Sequence, residues 1–486
     1  MNRKLVAAVL GYLTLACGAA MFFPLVLAVL EKNAASIAAF LLAMLLCLIT
    51  TFELERYGHM KETDTLSVRD GIAVTGLGWL LVSLLGMLPY VSGGHLSLLD
   101  SIVESVSGFS GTGATVIPDV EILPNSILLW RSLSNWVGGL GIIVIFMAIL
   151  PQASRGAVYM FRAESTGPTY DRQMPKIRDN AKALFSVYVS LTLLCAAVYT
   201  FCGLSPFAAV NHAMTTIATG GYSVYNDTVM DYGNIWLELA MSFFMVISSG
   251  SFAMYVLTWK HGIRTIRHNT EFRVYLWLIG IAAVLISVDL TLEMHMDPIS
   301  AVRYSVFQVA SLSSTTGFVS YDFDTWPPFA KGLLLMTMFL GGCAGSTAGG
   351  LKVSRIILLV KMVQSILWQK LHPQMISHVK MNGQTVPDEV LFGVARFFFA
   401  YVILDILLAF IMLADGIDLI DAVSVSVSTM GSVGPGFGIE GATSTYALLP
   451  DMSKAFACIF MFLARLEIFT VLAMLTPEFW SGKKGW

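Results

Sequence analysis

Four short stretches carry serine, threonine and glycine at a density that the rest of the chain lacks: SGFSGTGATV (107–116), TTIATGGYSV (215–224), SLSSTTGFVS (311–320) and STMGSVGPGF (428–437). Taking Gly113, Gly220, Gly317 and Gly434 as equivalent, the same turn returns at intervals of roughly a hundred residues. These residue types have no nucleophile–base pair and no metal-ligand set, but they suit another chemistry. Stripping water from a cation requires backbone carbonyl oxygens arranged around an axis, and that arrangement forces positive φ, which glycine alone adopts cheaply. Irregular backbone of this kind is tolerated at membrane depth only where it lines a cavity or is buried in protein. A lone T-G-G is most often a loop or a close helix contact; four in register are not. In the fourth stretch both Thr429-Met430-Gly431 and Ser432-Val433-Gly434 resemble a T-x-G turn, and the second is taken as the equivalent.

Each turn follows a semi-polar segment of about 12 to 16 residues, too short to span a bilayer, near 99–112, 206–219, 299–316 and 418–431. These read as re-entrant half-helices whose C-terminal, negative dipole ends point at the turns and favour a cation. Around them lie ten long apolar elements: an N-terminal hairpin (to Leu30, then Ala34 to Phe52), followed by 70–92, 127–150, 182–203, 234–259, 273–292, 329–365, 389–414 and 453–476. The chain of 486 residues is 56% hydrophobic and only 13% charged, which excludes a soluble protein and leaves no room for a separate soluble domain. A net charge of −3 offers no basic surface for nucleic acid. The six cysteines lie in or beside apolar runs, without metal-ligand or disulfide spacing. The organisation is a transmembrane hairpin at 1–66 and four membrane–pore–membrane repeats at 67–155, 156–265, 266–380 and 381–486. The expected fold is therefore an all-α polytopic membrane protein with four pseudo-symmetric repeats around one central pore.

Positive charge sets the orientation. With both termini cytoplasmic, 23 of the 29 Lys and Arg residues fall on the inner side. Lys32, Arg131, Arg303, Lys331 and Lys454 fall on the outer side. The turns then face outward, beside Asp100, Glu104, Asp119, Glu121, Asp227 and Asp231, so the outer mouth leans acidic and attracts cations.

Two features lie below the turns. The run 341–350 holds five glycines within what should be one long helix from Phe329. At about 1 kcal/mol per interior glycine, it predicts a break there, with a small-residue packing face as the alternative. Arg465 sits inside an apolar run, where a charge costs at least about 2.5 kcal/mol and faces a cavity or a partner. Glu467 is the nearest carboxylate, yet residues two apart on a helix do not face each other. Glu104, His212 and Asp421 sit in the short helices; His212 reads as a packing or hydrogen-bonding group, and Asp289 and Asp405, in or near apolar runs, as buried partners.

These turns, together with NWVGGLGIIV (135–144), GGCAGSTAGGLKVSR (341–355) and ARLEIFTVL (464–472), resemble the TrkH/KtrB potassium-uptake family over nearly the whole chain. The N-terminal hairpin makes the chain more similar to TrkH. The resemblance implies a potassium-selective filter of Thr112-Gly113, Thr219-Gly220, Thr316-Gly317 and Val433-Gly434, flanked by Gly111, Ala114, Gly221, Thr315, Phe318, Ser432 and Pro435. All four filter positions hold glycine, where a serine in the first repeat marks sodium-permeable members. It implies a gate formed by Gly345, Ser346, Thr347, Ala348, Gly349 and Gly350, with Lys352 at its end, and Arg465 as an electrostatic barrier in the conduction path. It also implies a homodimer in the bacterial inner membrane with one pore per subunit, and a TrkA-like cytosolic RCK-type ring through which a nucleotide (ATP/ADP or NAD) acts. No covalent cofactor is implied; K+ is the substrate.

An enzyme would need a clustered catalytic set, and the eight histidines are scattered. A Na+- or H+-coupled symporter also uses broken helices, but through inverted repeats and ionisable residues; here the repeats share one orientation and the turns are uncharged. Whether flux is channel-like or coupled is left open by the sequence.

Overall fold

The computed structural model describes residues 1–58, 67–141, 177–374 and 378–481, without the side chains of Ile177, Arg178 and Asp231. Lys61, Arg155, Arg162, Arg172, Lys176, Lys483 and Lys484, and residues 142–150 of the apolar run 127–150, lie outside it. Helices dominate the described residues; the one departure from all-α is a two-strand antiparallel hairpin pairing Lys380–Met381 with Gln384–Thr385.

After the hairpin of Arg3–Ala20, Phe22–Leu30 and Ala34–Tyr57, one unit is used four times. A long helix is followed by a short one, a turn and a second helix. The long helices are Val68–Gly86 with Leu88–Ser92, Ile177–Phe201, Thr270–Glu293 and Asp388–Ala414. The short ones are Leu98–Ser110, Pro206–Ala218, Pro298–Ser313 and Leu419–Gly431. Their starts are legible: Ser97, Ser205 and Asp297 accept an N–H of the first turn, and proline occupies the opening position of the second and third.

Polarity runs inside out, as a lipid solvent requires. Phe52, Phe201, Trp236 and Trp277 are exposed on the perimeter, while the serines and threonines of the short helices are buried at the centre. Among the described residues six helical stretches are long and apolar enough to cross a membrane, or eight if each of two bent pairs counts as one span.

The sequence points to a break in the second helix of the third repeat, and the structure adds others. The second helices end at Leu140, Ser248, Leu340 and Arg465. The second-repeat helix bends by 89° before Phe252–His261, and the fourth by 114° before Ile468–Leu475. Backbone groups freed by a break inside a membrane protein need new partners. In the second repeat the third-repeat segment 341–352 supplies them: Cys343 N–H donates to Ser249 O (2.9 Å), and Phe252 N–H to Gly345 O (3.0 Å).

Candidate functional site

The four turns superimpose by backbone logic. In each, a left-handed residue ends the short helix and a left-handed glycine follows two positions later: Gly111 and Gly113 (φ 77° and 75°), Thr219 and Gly221 (56° and 64°), Thr315 and Gly317 (57° and 83°), Ser432 and Gly434 (54° and 98°). The residue between them donates its N–H to the carbonyl of a buried serine or threonine five residues back. The pairs are Thr112 to Ser107 (3.1 Å), Gly220 to Thr215, Thr316 to Ser311 and Val433 to Ser428 (each 2.9 Å). The second-repeat register is therefore corrected by one residue. Gly221, not Gly220, matches Gly113, Gly317 and Gly434, while Gly220 stands where the others have Thr112, Thr316 and Val433. Two adjacent glycines hide this in the sequence. Gly431 is the last residue of its helix.

The turns close on one another. A Cβ added to Gly113 would lie 1.8 Å from Gly220 O, one on Gly221 1.7 Å from Thr316 O, one on Gly317 2.3 Å from Val433 O, and one on Gly434 2.8 Å from Thr112 O. Each glycine thus abuts the backbone oxygen of the middle residue in the next turn, from the first round to the fourth and back. A side chain fits none of the four positions, and the left-handed backbone excludes it independently. The result is a ring of backbone oxygens from four segments of one chain, with no charged side chain in it.

Buried side chains behind the ring hold it. Glu104, placed by sequence at the acidic mouth, is wholly buried. It accepts from Val116 N–H (3.0 Å), Thr115 Oγ1 (3.0 Å) and Arg131 Nε (2.8 Å). Arg131, expected in an outer loop, is 2% exposed; it also donates to Ser223 O (3.1 Å) and stacks on Tyr222 at 4.3 Å, tying the first repeat to the second. Two further charges assigned to the outer surface are paired across repeats: Arg303 holds Glu238 through two bonds of 2.6 Å, and Lys454 holds Asp100 at 2.9 Å. His212 Nδ1 donates to Ala208 O (2.8 Å), which leaves Nε2 to accept from Ser223 Oγ (3.1 Å).

Segment 341–352 lies against the ends of the short helices that carry the ring. Gly349 N–H donates to Thr315 Oγ1 (2.8 Å), Thr347 Oγ1 to Ile217 O (3.0 Å), and a Cβ on Gly349 would lie 2.1 Å from Gly431 O. The segment therefore touches the second, third and fourth repeats. The Arg465 guanidinium completes the circuit by donating to Thr347 O (3.4 Å) and to Gly138 O and Gly139 O of the first, the latter at 2.8 Å. Lys352 and Arg355 are buried here rather than placed in a cytoplasmic loop. Lys352 has φ 77° and its ammonium donates to Ala348 O. Glu467 does not pair with Arg465; it binds Arg355 at 2.7 and 2.8 Å, across two repeats. Glu271, which drew no attention in the sequence, anchors both ends of the segment by accepting from Ala344 N–H (2.6 Å) and Ser354 N–H (3.0 Å).

Residues 36–482 match the family model TrkH, described as a cation transport protein. The chain belongs to the TrkH family. It is a multi-pass membrane protein of a transport family, not an enzyme. Among TrkH relatives, the Trk system potassium uptake protein TrkH of Halomonas elongata is 35% identical over 99% of this chain and 100% of its own length. That of Escherichia coli K12 is 32% identical over the same shares. The crystal structure of the potassium transporter TrkH from Vibrio parahaemolyticus superimposes with a TM-score of 0.89 at 30% identity, covering 99% of this chain and 100% of that one.

Proposed function

We propose that this chain carries K+ into a bacterial cell through the ring, with dehydrated ions held by the backbone oxygens of residues 112–113, 220–221, 316–317 and 433–434. The observation that carries this reading is the closed circuit of four uncharged glycine turns at the convergence of four short helices. Their C-terminal dipole ends and carbonyls favour a cation. The names of the relatives, Trk system potassium uptake proteins, support K+ as the ion. The segment 345–350 with Lys352 acts as the gate, because it lies against three turns and is built from glycine and small residues; Arg465 beside it opposes cation passage. The "Trk system" names also support a separate regulatory subunit, for which a cytosolic nucleotide-binding ring of TrkA type is the fitting partner. The protein works as a homodimer in the inner membrane, with both termini cytoplasmic.

The test is ion flux through the purified full chain in liposomes, comparing K+, Rb+, Na+ and Li+. Passage of K+ and Rb+ well above Na+ and Li+ is expected. Equal passage of Na+ and K+ overturns the selective-ring reading, and flux that requires a Na+ or H+ gradient overturns simple permeation.

A further inference from the structure

The ring is braced from behind by one position in each of three repeats. Three residues before the buried serine or threonine whose carbonyl anchors each turn stand Glu104, His212 and Gln308, each at most 1% exposed. Each reaches the strand leaving its own turn: Glu104 to Thr115 and Val116, His212 to Ser223 Oγ, and Gln308 Nε2 to Tyr321 O (3.3 Å). The fourth repeat has Val425 there, buried and unable to hydrogen-bond. Its exit strand turns back on itself instead: Gly436 N–H donates to Glu440 O (2.8 Å), and the Glu440 side chain, 1% exposed, returns behind the turn. Ser424, the residue before Val425, donates to Glu440 Oε1 (3.2 Å) and accepts from Phe437 N–H (2.7 Å). A Cβ on Gly436 would lie 2.0 Å from Glu440 Oε1, so the carboxyl fills the space at the strand's exit. Tyr446 faces the same carboxyl, and Asp421 and Asp324 accept from the neighbouring N–H groups of Ile439 (3.2 Å) and Gly438 (2.9 Å).

We infer that Glu440 is the missing fourth brace, a positioning residue supplied from the outer loop that fixes the exit of the fourth turn and so sets how well the ring discriminates K+ from Na+. The inference rests on the pore reading above. Its working contact is the hydrogen bond through Ser424 rather than a charge: among the described residues Glu440 forms no ion pair, the Lys331 ammonium being held by Asp324 at 3.5 Å, and burial pushes this carboxyl well above the usual carboxylate range.

The experiment compares K+ and Na+ flux through the full chain in liposomes for the wild type, Glu440→Ala, Glu440→Gln and Ser424→Ala. Glu440→Ala should lower the K+/Na+ ratio about tenfold, as expected for loss of a buried hydrogen bond at the ring's edge. Glu440→Gln, which keeps the acceptor and the volume, should restore it to near the wild-type ratio, and Ser424→Ala should lower it in the same direction. A wild-type ratio in Glu440→Ala overturns the inference, and so does a Glu440→Gln protein as poor as Glu440→Ala, which would mean that charge is what matters. If Glu440→Ala does not assemble, Ser424→Ala decides, and an unchanged ratio there overturns it. A wild-type chain that passes both ions equally fails the pore reading instead.

Discussion

Alanine at Gly221 should damage the ring in a way that alanine at Gly220 does not, although the two are neighbours. At Gly221 the backbone is left-handed at φ 64°, a conformation that costs an ordinary residue about 1–2 kcal/mol. The new Cβ would stand 1.7 Å from Thr316 O, where real contacts stay above 3.0 Å. That oxygen belongs to the ring and must move by about 1.3 Å, or the turn must leave it. The strain weakens the fold for both ions alike; displacing one ring oxygen by that much is what discriminates, and a loss of about 1.4 kcal/mol in differential ion binding predicts about a tenfold fall in the K+/Na+ ratio. At Gly220 the obstacle is the Asn135 amide, 2.0 Å from the new Cβ, a side chain that can be cut away. Asn135→Ala should therefore rescue much of Gly220→Ala, short of the bond that Asn135 Nδ2 gives Gly220 O (3.1 Å), and should not rescue Gly221→Ala. Radiotracer or fluorescent-indicator flux in liposomes reads both. A wild-type ratio in Gly221→Ala, or equal rescue of both variants by Asn135→Ala, refutes the one-residue register.

Arg465→Ala should raise K+ flux in the absence of any regulatory subunit by roughly tenfold or more, the effect of removing a unit charge beside an ion at low dielectric; correctly assembled protein with unchanged flux contradicts the barrier role. Gly349→Ala, whose Cβ would stand 2.1 Å from Gly431 O, should push segment 341–352 off the ring and raise basal flux severalfold while leaving the K+/Na+ ratio alone; a changed ratio with unchanged flux would show that the segment does not gate. Glu104→Ala should cost about 3–5 kcal/mol by stranding buried Arg131, seen as a lower thermal midpoint in detergent, whereas replacing both Glu104 and Arg131 by leucine should recover part of it.

The repeats and the placement of the short helices were legible because they rest on local signals: serine or aspartate before a helix start, proline at its opening, and a run too short to span. The glycine run at 341–350 likewise announced its break. The other interruptions were harder to read: Gly250 between two serines and Gly138, Gly139 and Gly141 stand at two of them, but glycine in an apolar run is also tolerated within a helix; the second repeat bends where 341–352 takes up its backbone, a contact nearly one hundred residues away in sequence. The TGG register was hidden because either glycine can take positive φ, and only the N–H to Thr215 decides. Charges misled most. Arg131, Arg303 and Lys454 read as surface residues by position, yet each is held by a carboxylate that sequence separation conceals.

Because the circuit is made by four segments of one polypeptide, the numbers of its parts are fixed at synthesis. A pore assembled from identical subunits must accept any substitution in every subunit or as a mixture of assemblies. Here one codon changes one quadrant in every molecule, and the other three remain as internal controls. The threonines at 112 and 316, the glycine at 220 and the valine at 433 already show that the quadrants have diverged, as do the braces behind them. On the proposed pore reading, selectivity can be adjusted in quarter steps, and an ion in the ring would meet an environment with four distinguishable sides.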